Sequence, residues 1–352
     1  MNSLGRLFRV SVFGESHGES VGAIIDGCPA GLTLLAEDFV KDIERRKGGM
    51  QKGTTPRKED DLPIFKSGLF NNKTTGAPIT ILFENNNTRS TDYEKLKAFP
   101  RPGHADFVAS KKFGGFEDYR GGGHFSGRLT VALVACGVIA KKLLAGQGFA
   151  DRIEPMKEYV TVQSEILEIG GEKDLEKGLQ KAIDAKDSIG GIVECRVKGL
   201  PIGLGEPFFD SVESALSHAV FAIPAVRGIE FGTGFGAAKM FGSDHNDKIL
   251  DASGKTSTNH AGGIVGGITN GNDLVFRIAI KPTSSTPKEQ QTLNVETGQV
   301  EGFSVKGRHD LCIALRVPVV LEAVTAFVLA DLFLLEQQMK RISVMDTHVA
   351  LS

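Results

Sequence analysis

Between Phe99 and Arg128 the chain reads FPRPGHADFVASKKFGGFEDYRGGGHFSGR, and no other stretch carries so much potential chemistry. A Pro-Gly turn, two histidines, two glycine clusters and several cations follow one another. The apolar run Leu129–Leu144 starts at once behind them. Loops rich in glycine and charge build little core; they let the backbone approach a ligand and gather polar side chains around it. A helix opening after such a loop offers unpaired N–H groups to an anion. Imidazoles move protons near neutral pH. The chemistry indicated is the binding of an anionic molecule beside proton-transferring groups.

Other stretches could join it. Gly14-Glu15-Ser16-His17-Gly18 is a turn holding an acid, a hydroxyl and a histidine, and it reads equally well as a structural turn. A basic, glycine-broken loop carries Arg45, Arg46, Lys47, Lys52, Arg57 and Lys58 and closes on Glu59-Asp60-Asp61. It fits a solvated loop, a nucleic-acid contact, or cations gripping oxyanions over a phosphorylated ligand. The missing aromatics between Val40 and Ile64 weaken the second reading, because bases need rings to stack on. Lys281-Pro-Thr-Ser-Ser285 places a cation and three hydroxyls behind a strand, suited to a phosphate or to a polar turn. Gly307-Arg308-His309-Asp310 adds another cation, imidazole and acid. Phe231-Gly-Thr-Gly-Phe-Gly-Ala237 satisfies the G-x-G-x-x-A spacing, but Gly242 to Asp247 breaks the chain where a dinucleotide site needs a long helix. The cluster Asp244 to Asp247 reads as a turn rather than a metal site.

The elements that must position these groups follow from periodicity. Strands are expected at Leu7–Phe13, Val21–Asp26 (fully buried), Ile64–Phe70, Pro78–Glu84, Val160–Ile166, Ile189–Val197 and Leu274–Ile280. Helices are expected at Glu37–Arg46, Lys173–Ile183 and Ser211–Phe221, and Leu129–Leu144 is apolar nearly all round, so it should be central. Pro318 opens a helix from Val319 to about Lys340. Val21-Gly-Ala-Ile-Ile-Asp26 is echoed by Ile189-Gly-Gly-Ile-Val-Glu194 and, in part, by Gly262-Gly-Ile-Val265, which points to two β-rich units related by internal pseudo-symmetry.

With 352 residues, 41% hydrophobic and 24% charged, the chain can bury a substantial core. A net charge of −2 speaks against a chain-wide nucleic-acid or membrane field, so any basic site is local. The four cysteines are scattered without a C-x-x-C pair, which fits a reducing cytoplasmic compartment rather than zinc or disulfides. The first fifteen residues carry Arg6 and Arg9 inside their apolar stretch, unlike a signal peptide. The longest apolar run ends at Lys141-Lys142 and is too short to span a bilayer.

Taken in order, FGESHG (Phe13–Gly18), DGCPAG (Asp26–Gly31), RRKGG, TTPRKED, RPGHAD (Arg101–Asp106), DYRGGG (Asp118–Gly123), GLGEP (Gly203–Pro207), NHAGGIVGGI (Asn259–Ile268), KPTSS and GRHD closely resemble the chorismate synthase family along nearly the whole chain. The resemblance implies an α+β fold, a β-α-β sandwich spanning residues 1–352 as one domain, and a cytoplasmic homotetramer. It implies reduced FMN as cofactor, NADPH as a reductant, and 5-enolpyruvylshikimate 3-phosphate as substrate. The reaction implied is an anti-1,4 elimination of phosphate giving chorismate, with no nucleic-acid, membrane or metal partner.

By the same resemblance His17 acts as an acid toward the leaving phosphate, His104 is the proton partner of the flavin, and Asp310 is a base near its N5. Substrate oxyanions fall to Arg46, Lys52, Arg101 and Arg128. The flavin contacts fall to His124, Phe125, Ser126, Pro224, Ala225, Gly266, Lys281, Pro282, Thr283, Ser284, Ser285 and Arg308. NADPH falls to the positions of Arg46 and Lys52. The chain departs from the family pattern at His124-Phe125, where Arg-Ser is usual. It also departs at Lys52 (usually Arg), Pro224 (usually Asn) and Leu311 (usually Pro).

Overall fold

The computed structural model describes residues 2–49, 52–54, 60–86, 97–146, 160–305 and 309–338. Two antiparallel sheets face a central helical layer. The first sheet contains β1 (Ser3–Leu4), β2 (Arg9–Gly14), β3 (Ser20–Asp26), β4 (Ile64–Ser67) and β5 (Ile79–Glu84), in the order β1-β2-β3-β5-β4. The second contains β6 (Thr161–Ile169), β7 (Gly191–Lys198), β8 (Val226–Phe231) and β9 (Leu274–Ile280), in the order β8-β9-β7-β6. The helices of eight or more residues are α1 (Glu37–Arg46), α2 (Asp106–Phe113), α3 (Thr130–Leu144), α4 (Leu175–Ala185), α5 (Val212–Val220) and α6 (Val317–Gln338).

α3 packs on β2, β3 and β5, α6 packs on β6 and β7, and the two helices pack against each other. The order sheet, helices, sheet is the α+β sandwich expected. Closeness between the two helices depends on Gly137, since a Cβ there would overlap Ala323. One continuous cluster of buried side chains runs from Phe8 on the first sheet through α3 and α6 to Phe276 on the second. Both inner helices are apolar all round because both are covered on every side.

Local rules set the remaining boundaries. α1 has Glu37 and Asp38 in its first turn and Arg45 and Arg46 in its last, both favourable to the helix dipole. Ser211 caps α5 by accepting from Ser214 N at 3.1 Å, and Asp174 caps α4 by accepting from Lys177 N at 3.2 Å.

Some expectations need correction. β3 is not fully buried: Val21, Ala23 and Ile25 face the core, whereas Ile24 is 39% exposed. Ile64–Phe70 breaks at Gly68, with Leu69–Phe70 pairing with Lys73–Thr74 in a separate hairpin. The run ending at Lys141-Lys142 is not the longest apolar one. The helical stretch Ile313–Gln338 is long and apolar enough to cross a bilayer, yet 83% of its most apolar window lies inside the fold, as a core helix does. Of the echoing stretches, two fall on β3 and β7, inner strands of the two sheets. The third lies in the small ribbon Ile264–Val265/Ile268–Thr269, outside both.

Two features tie distant parts together. Asp331 on α6 accepts hydrogen bonds from the backbone N–H groups of Arg6, Leu7 and Phe8 at 2.7–3.0 Å. Glu322, 3% exposed, takes both terminal nitrogens of Arg45 at 2.7 Å, Lys141 Nζ at 2.9 Å and Ser164 N at 3.0 Å. A buried acid so fully paired fastens α1, α3, α6 and β6 to one another.

Candidate active site

A cavity of about 750 Å³ opens at one end of the helical layer. Apolar side chains, among them Val10, Leu133, Val320 and Phe327, form part of its wall. Seven Lys and Arg side chains (Arg46, Lys47, Arg101, Arg128, Arg227, Lys281 and Arg316) also line it, against two carboxylates, Asp61 and Asp310, among the described residues. Arg46, Arg101 and Arg128 are only 3%, 7% and 6% exposed. Buried cations this numerous are unfavourable unless anions meet them.

The glycine-rich loop shapes one wall. Gly121, Gly122 and Gly123 have φ of 61°, 80° and 51°, three left-handed positions in succession that residues with a Cβ rarely adopt. The chain then enters a short 3₁₀ turn, Gly127–Leu129, and α3. Ser126 Oγ accepts from Arg128 N at 3.3 Å. A Cβ on Gly121 would lie 2.6 Å from His17 Nε2. His17 itself is 8% exposed and sits behind that glycine rather than on the cavity wall. Ser16 beside it is wholly buried, and its hydroxyl has no hydrogen-bond partner among the described residues.

Two carboxylates organise the cations. Asp61 accepts from Arg128 Nη1 in a short contact and from Arg46 Nη1 at 3.4 Å. Arg46 also donates to Thr130 Oγ1 at 3.1 Å and to Arg128 O at 3.2 Å. Arg128 donates to Asn85 Oδ1 at 2.9 Å and Glu84 O at 3.1 Å. Burial acts to raise the Asp61 carboxyl, but the charges of Arg46 and Arg128 outweigh it and hold the group below the usual carboxylate range. Burial, and then the cations Arg316 and Arg128, pull Arg46 below the usual guanidinium range. An added anion would relieve that strain.

Asp106, at the start of α2, accepts from Arg101 N at 3.0 Å, Arg101 Nε at 2.7 Å and Arg101 Nη2 at 2.8 Å. His104 Nδ1 lies 2.6 Å from the same carboxylate. Burial opposes ionisation there too, yet the hydrogen bonds from Arg101 and His104 hold Asp106 well below the ordinary range. Arg101 Nη1 reaches Ser285 Oγ at 3.0 Å, joining this cluster to the 281–285 turn. Lys281 Nζ donates to Gly103 O at 2.7 Å and Ser284 Oγ at 2.8 Å.

Of the residues expected at the site, Arg46, Arg101, His104, His124, Phe125, Ser126, Arg128, Pro224, Ala225, Lys281, Pro282, Thr283, Ser284, Ser285 and Asp310 line this one cavity. Lys52 does not; its ammonium turns to Gln180 on α4 at 3.2 Å. Gly266 also lies off the wall, in the ribbon beside the second sheet. Arg308, with Arg57 and Lys58 of the basic loop, lies outside the described residues. His124 is anchored, with Nδ1 2.9 Å from Gly14 O and Nε2 3.2 Å from Asn2 Oδ1. The dinucleotide spacing folds into a 3₁₀ turn, Gly234–Lys239, with no long helix behind it.

Sequence reasoning missed Arg316 and the organising roles of Asp61 and Asp106. Arg316 binds Asp310 at 3.0 Å and donates to Arg46 O at 2.9 Å. The signal for Asp106 was its position two residues after His104 at the head of a helix. Asp61 ends the basic loop with φ of 50°, a conformation the sequence does not announce.

The chorismate synthase family model matches residues 8–334. A chorismate synthase of Chitinophaga pinensis is 72% identical over 342 residues, covering 97% of this chain and 99% of the relative. The chain belongs to the chorismate synthase family. A member from Methanocaldococcus jannaschii is 42% identical over 95% of this chain and 96% of its own length. A crystal structure of chorismate synthase superposes with a TM-score of 0.69 at 26% identity, covering 94% of this chain and 93% of that one. The chain is therefore a lyase of aromatic amino-acid biosynthesis, and its reaction is the family's: loss of phosphate from 5-enolpyruvylshikimate 3-phosphate to give chorismate. The family requires a reduced flavin. The cavity suits one, since it joins an apolar wall to a cation–hydroxyl turn where Thr283 Oγ1 is buried without a partner among the described residues.

Proposed function

We propose that this cavity carries out the elimination, with substrate and reduced FMN side by side. The carrying observation is that Arg46, Arg101 and Arg128, all nearly buried, converge on a space with few carboxylates of its own. The substrate, with two carboxylates and a phosphate, supplies the anions this arrangement calls for. FMN is held by the 281–285 turn, Pro224–Ala225 and the His124–Ser126 wall. Reduced FMN bound there would supply electron density to the substrate at the loss of phosphate without net redox change.

The chain's own groups hold the reactants and move protons. Arg46 and Arg128 fix substrate oxyanions from one side, and Arg101 fixes them from the other. His104 exchanges a proton at Nε2, which lies toward Gly122 on the loop. His17, behind Gly121, is the acid toward the departing phosphate. Asp310, held by Arg316, is the base proposed near where the flavin N5 would lie, and it takes up the one proton the elimination releases. The C–O bond to phosphate and the C6–H bond break, the ring double bond between them becomes single, and two new double bonds form on either side of it.

Anaerobic incubation with chemically reduced FMN and the phosphorylated ester tests the reading. Chorismate absorbance and phosphate release should rise together; well-folded protein that yields neither would refute it.

NADPH is the proposed reductant in the cell, tested by NADPH-driven bleaching of FMN on the protein alone. A cytoplasmic homotetramer is proposed as well. Buried, unpaired Cys28, Cys136, Cys195 and Cys312 support the compartment, and exposed Phe209, Phe235 and Phe241 (93%, 83% and 80%) support assembly. Sedimentation at a single mass below that of a tetramer would remove the assembly.

A further inference from the structure

Asp106 does not line the cavity, yet among the described residues it is the most completely coordinated carboxylate beside it. Its Oδ2 accepts from Arg101 N and Nε at 3.0 and 2.7 Å. Its Oδ1 accepts from Arg101 Nη2 at 2.8 Å and lies 2.6 Å from His104 Nδ1. Arg101 Nη2 lies 3.0 Å from His104 Nδ1 and 3.2 Å from Nε2, over the ring rather than in line with either nitrogen. The contact with Asp106 selects one neutral form of the ring. A contact of 2.6 Å between Nδ1 and an ionised carboxylate requires a proton on Nδ1.

We infer that Asp106 is the positioning residue that holds His104 in its Nδ1–H tautomer, leaving Nε2 as the atom that exchanges the proton. The inference rests on the proposed role of His104. Asp106 also holds Arg101, so one carboxylate sets the orientation of a substrate cation and of the neighbouring proton carrier together. Its place at the first position of α2 fixes it in turn, because a carboxylate there is favoured by the helix dipole. His104 N donates to Arg101 O at 3.2 Å, so the turn that presents both side chains is closed by its own backbone.

An Asp106→Asn substitution makes a specific demand. Wherever its NH₂ sits, it meets donors. At the Oδ2 position it faces two from Arg101, neither of which can change. At the Oδ1 position it faces Arg101 Nη2 and His104 Nδ1, and the imidazole can escape by moving its proton to Nε2. The amide should therefore settle at Oδ1 and drive His104 into the opposite tautomer.

Long-range ¹H–¹⁵N spectra of histidine-labelled protein, free of flavin and ester, read this directly, with His104→Gln to assign the signals. The parent chain should show Nδ1–H and an unprotonated Nε2 for His104. Asp106→Asn should show the reverse, with kcat lowered at least about 100-fold and flavin affinity changed far less. An Nε2–H tautomer in the parent chain, or the same tautomer in both proteins, would overturn the inference. If the variant does not fold, the parent spectrum alone decides. Full activity in His104→Gln would instead remove the proposed role of His104 while leaving the tautomer assignment standing.

Discussion

Asp61 and Asp106 each gather two basic side chains at the same cavity, but from opposite kinds of surroundings. Asp61, with its side chain 1% exposed, lies between two arginines that are nearly as buried. All three charges are fixed, and nothing in the group can change protonation near neutral pH. Asp106 is 12% exposed and shares its oxygens between an arginine and a histidine that is 21% exposed. Its cluster contains a group able to give and take a proton. The first cluster is a static electrostatic fixture and the second a working one. Placing both against one ligand space lets a single site bind a multiply charged ester and also move protons on it.

The largest test of that contrast is stability. Asp61→Ala leaves two buried arginines without their anion and should cost about 3–5 kcal/mol in urea unfolding. Asp106→Ala should cost less, because Arg101 and His104 are nearer water; equal losses would erase the distinction. Gly121→Ala adds a Cβ 2.6 Å from His17 Nε2 at a left-handed position. It should lower kcat about 100-fold through misplacement of His17, and an unchanged kcat would detach His17 from the chemistry. Arg128→Lys keeps the charge but loses the planar fork, and should raise KM for the ester about tenfold with kcat little changed.

The smallest effect is on acid unfolding. Both carboxyls are held below their ordinary range, so each contributes stability that is present above about pH 4 and is lost as pH falls through its folded value. Asp106→Asn should flatten the acid limb of stability against pH, and an identical limb in parent and variant would show that the depressed value is not coupled to folding.

Much of the fold was legible because periodicity and burial agree in long elements. α1 and β9 fall where their spacing puts them, and α3 is central because it is apolar all round. Gly68 split an expected strand, since a φ of 82° interrupts the pleat without changing the alternation on either side. The site was legible mainly through its odd motifs. His104, the 281–285 turn and Asp310 line one cavity. The setting of those residues was not legible. That Asp61 joins Arg46 to Arg128 depends on side chains separated by 15 and 67 positions, and no local pattern encodes such a meeting. His17 shows the same gap, since its place behind Gly121 depends on three left-handed glycines far along the chain.

The grip of Asp331 on residues 6–8 has a consequence for the order of events on the ribosome. β2 follows directly on those residues, and Asn2 and Ser3 lie on the cavity wall, yet the carboxylate that fixes them is synthesised more than 320 residues later. Closing a contact over so great a chain distance comes late in folding. A nascent chain stalled before Asp331 should leave its first residues open to an added protease, and one stalled after α6 has emerged should protect them. Until the last long helix leaves the exit tunnel, the earliest-made wall of the cavity lacks the anchor that fixes the segment leading into β2.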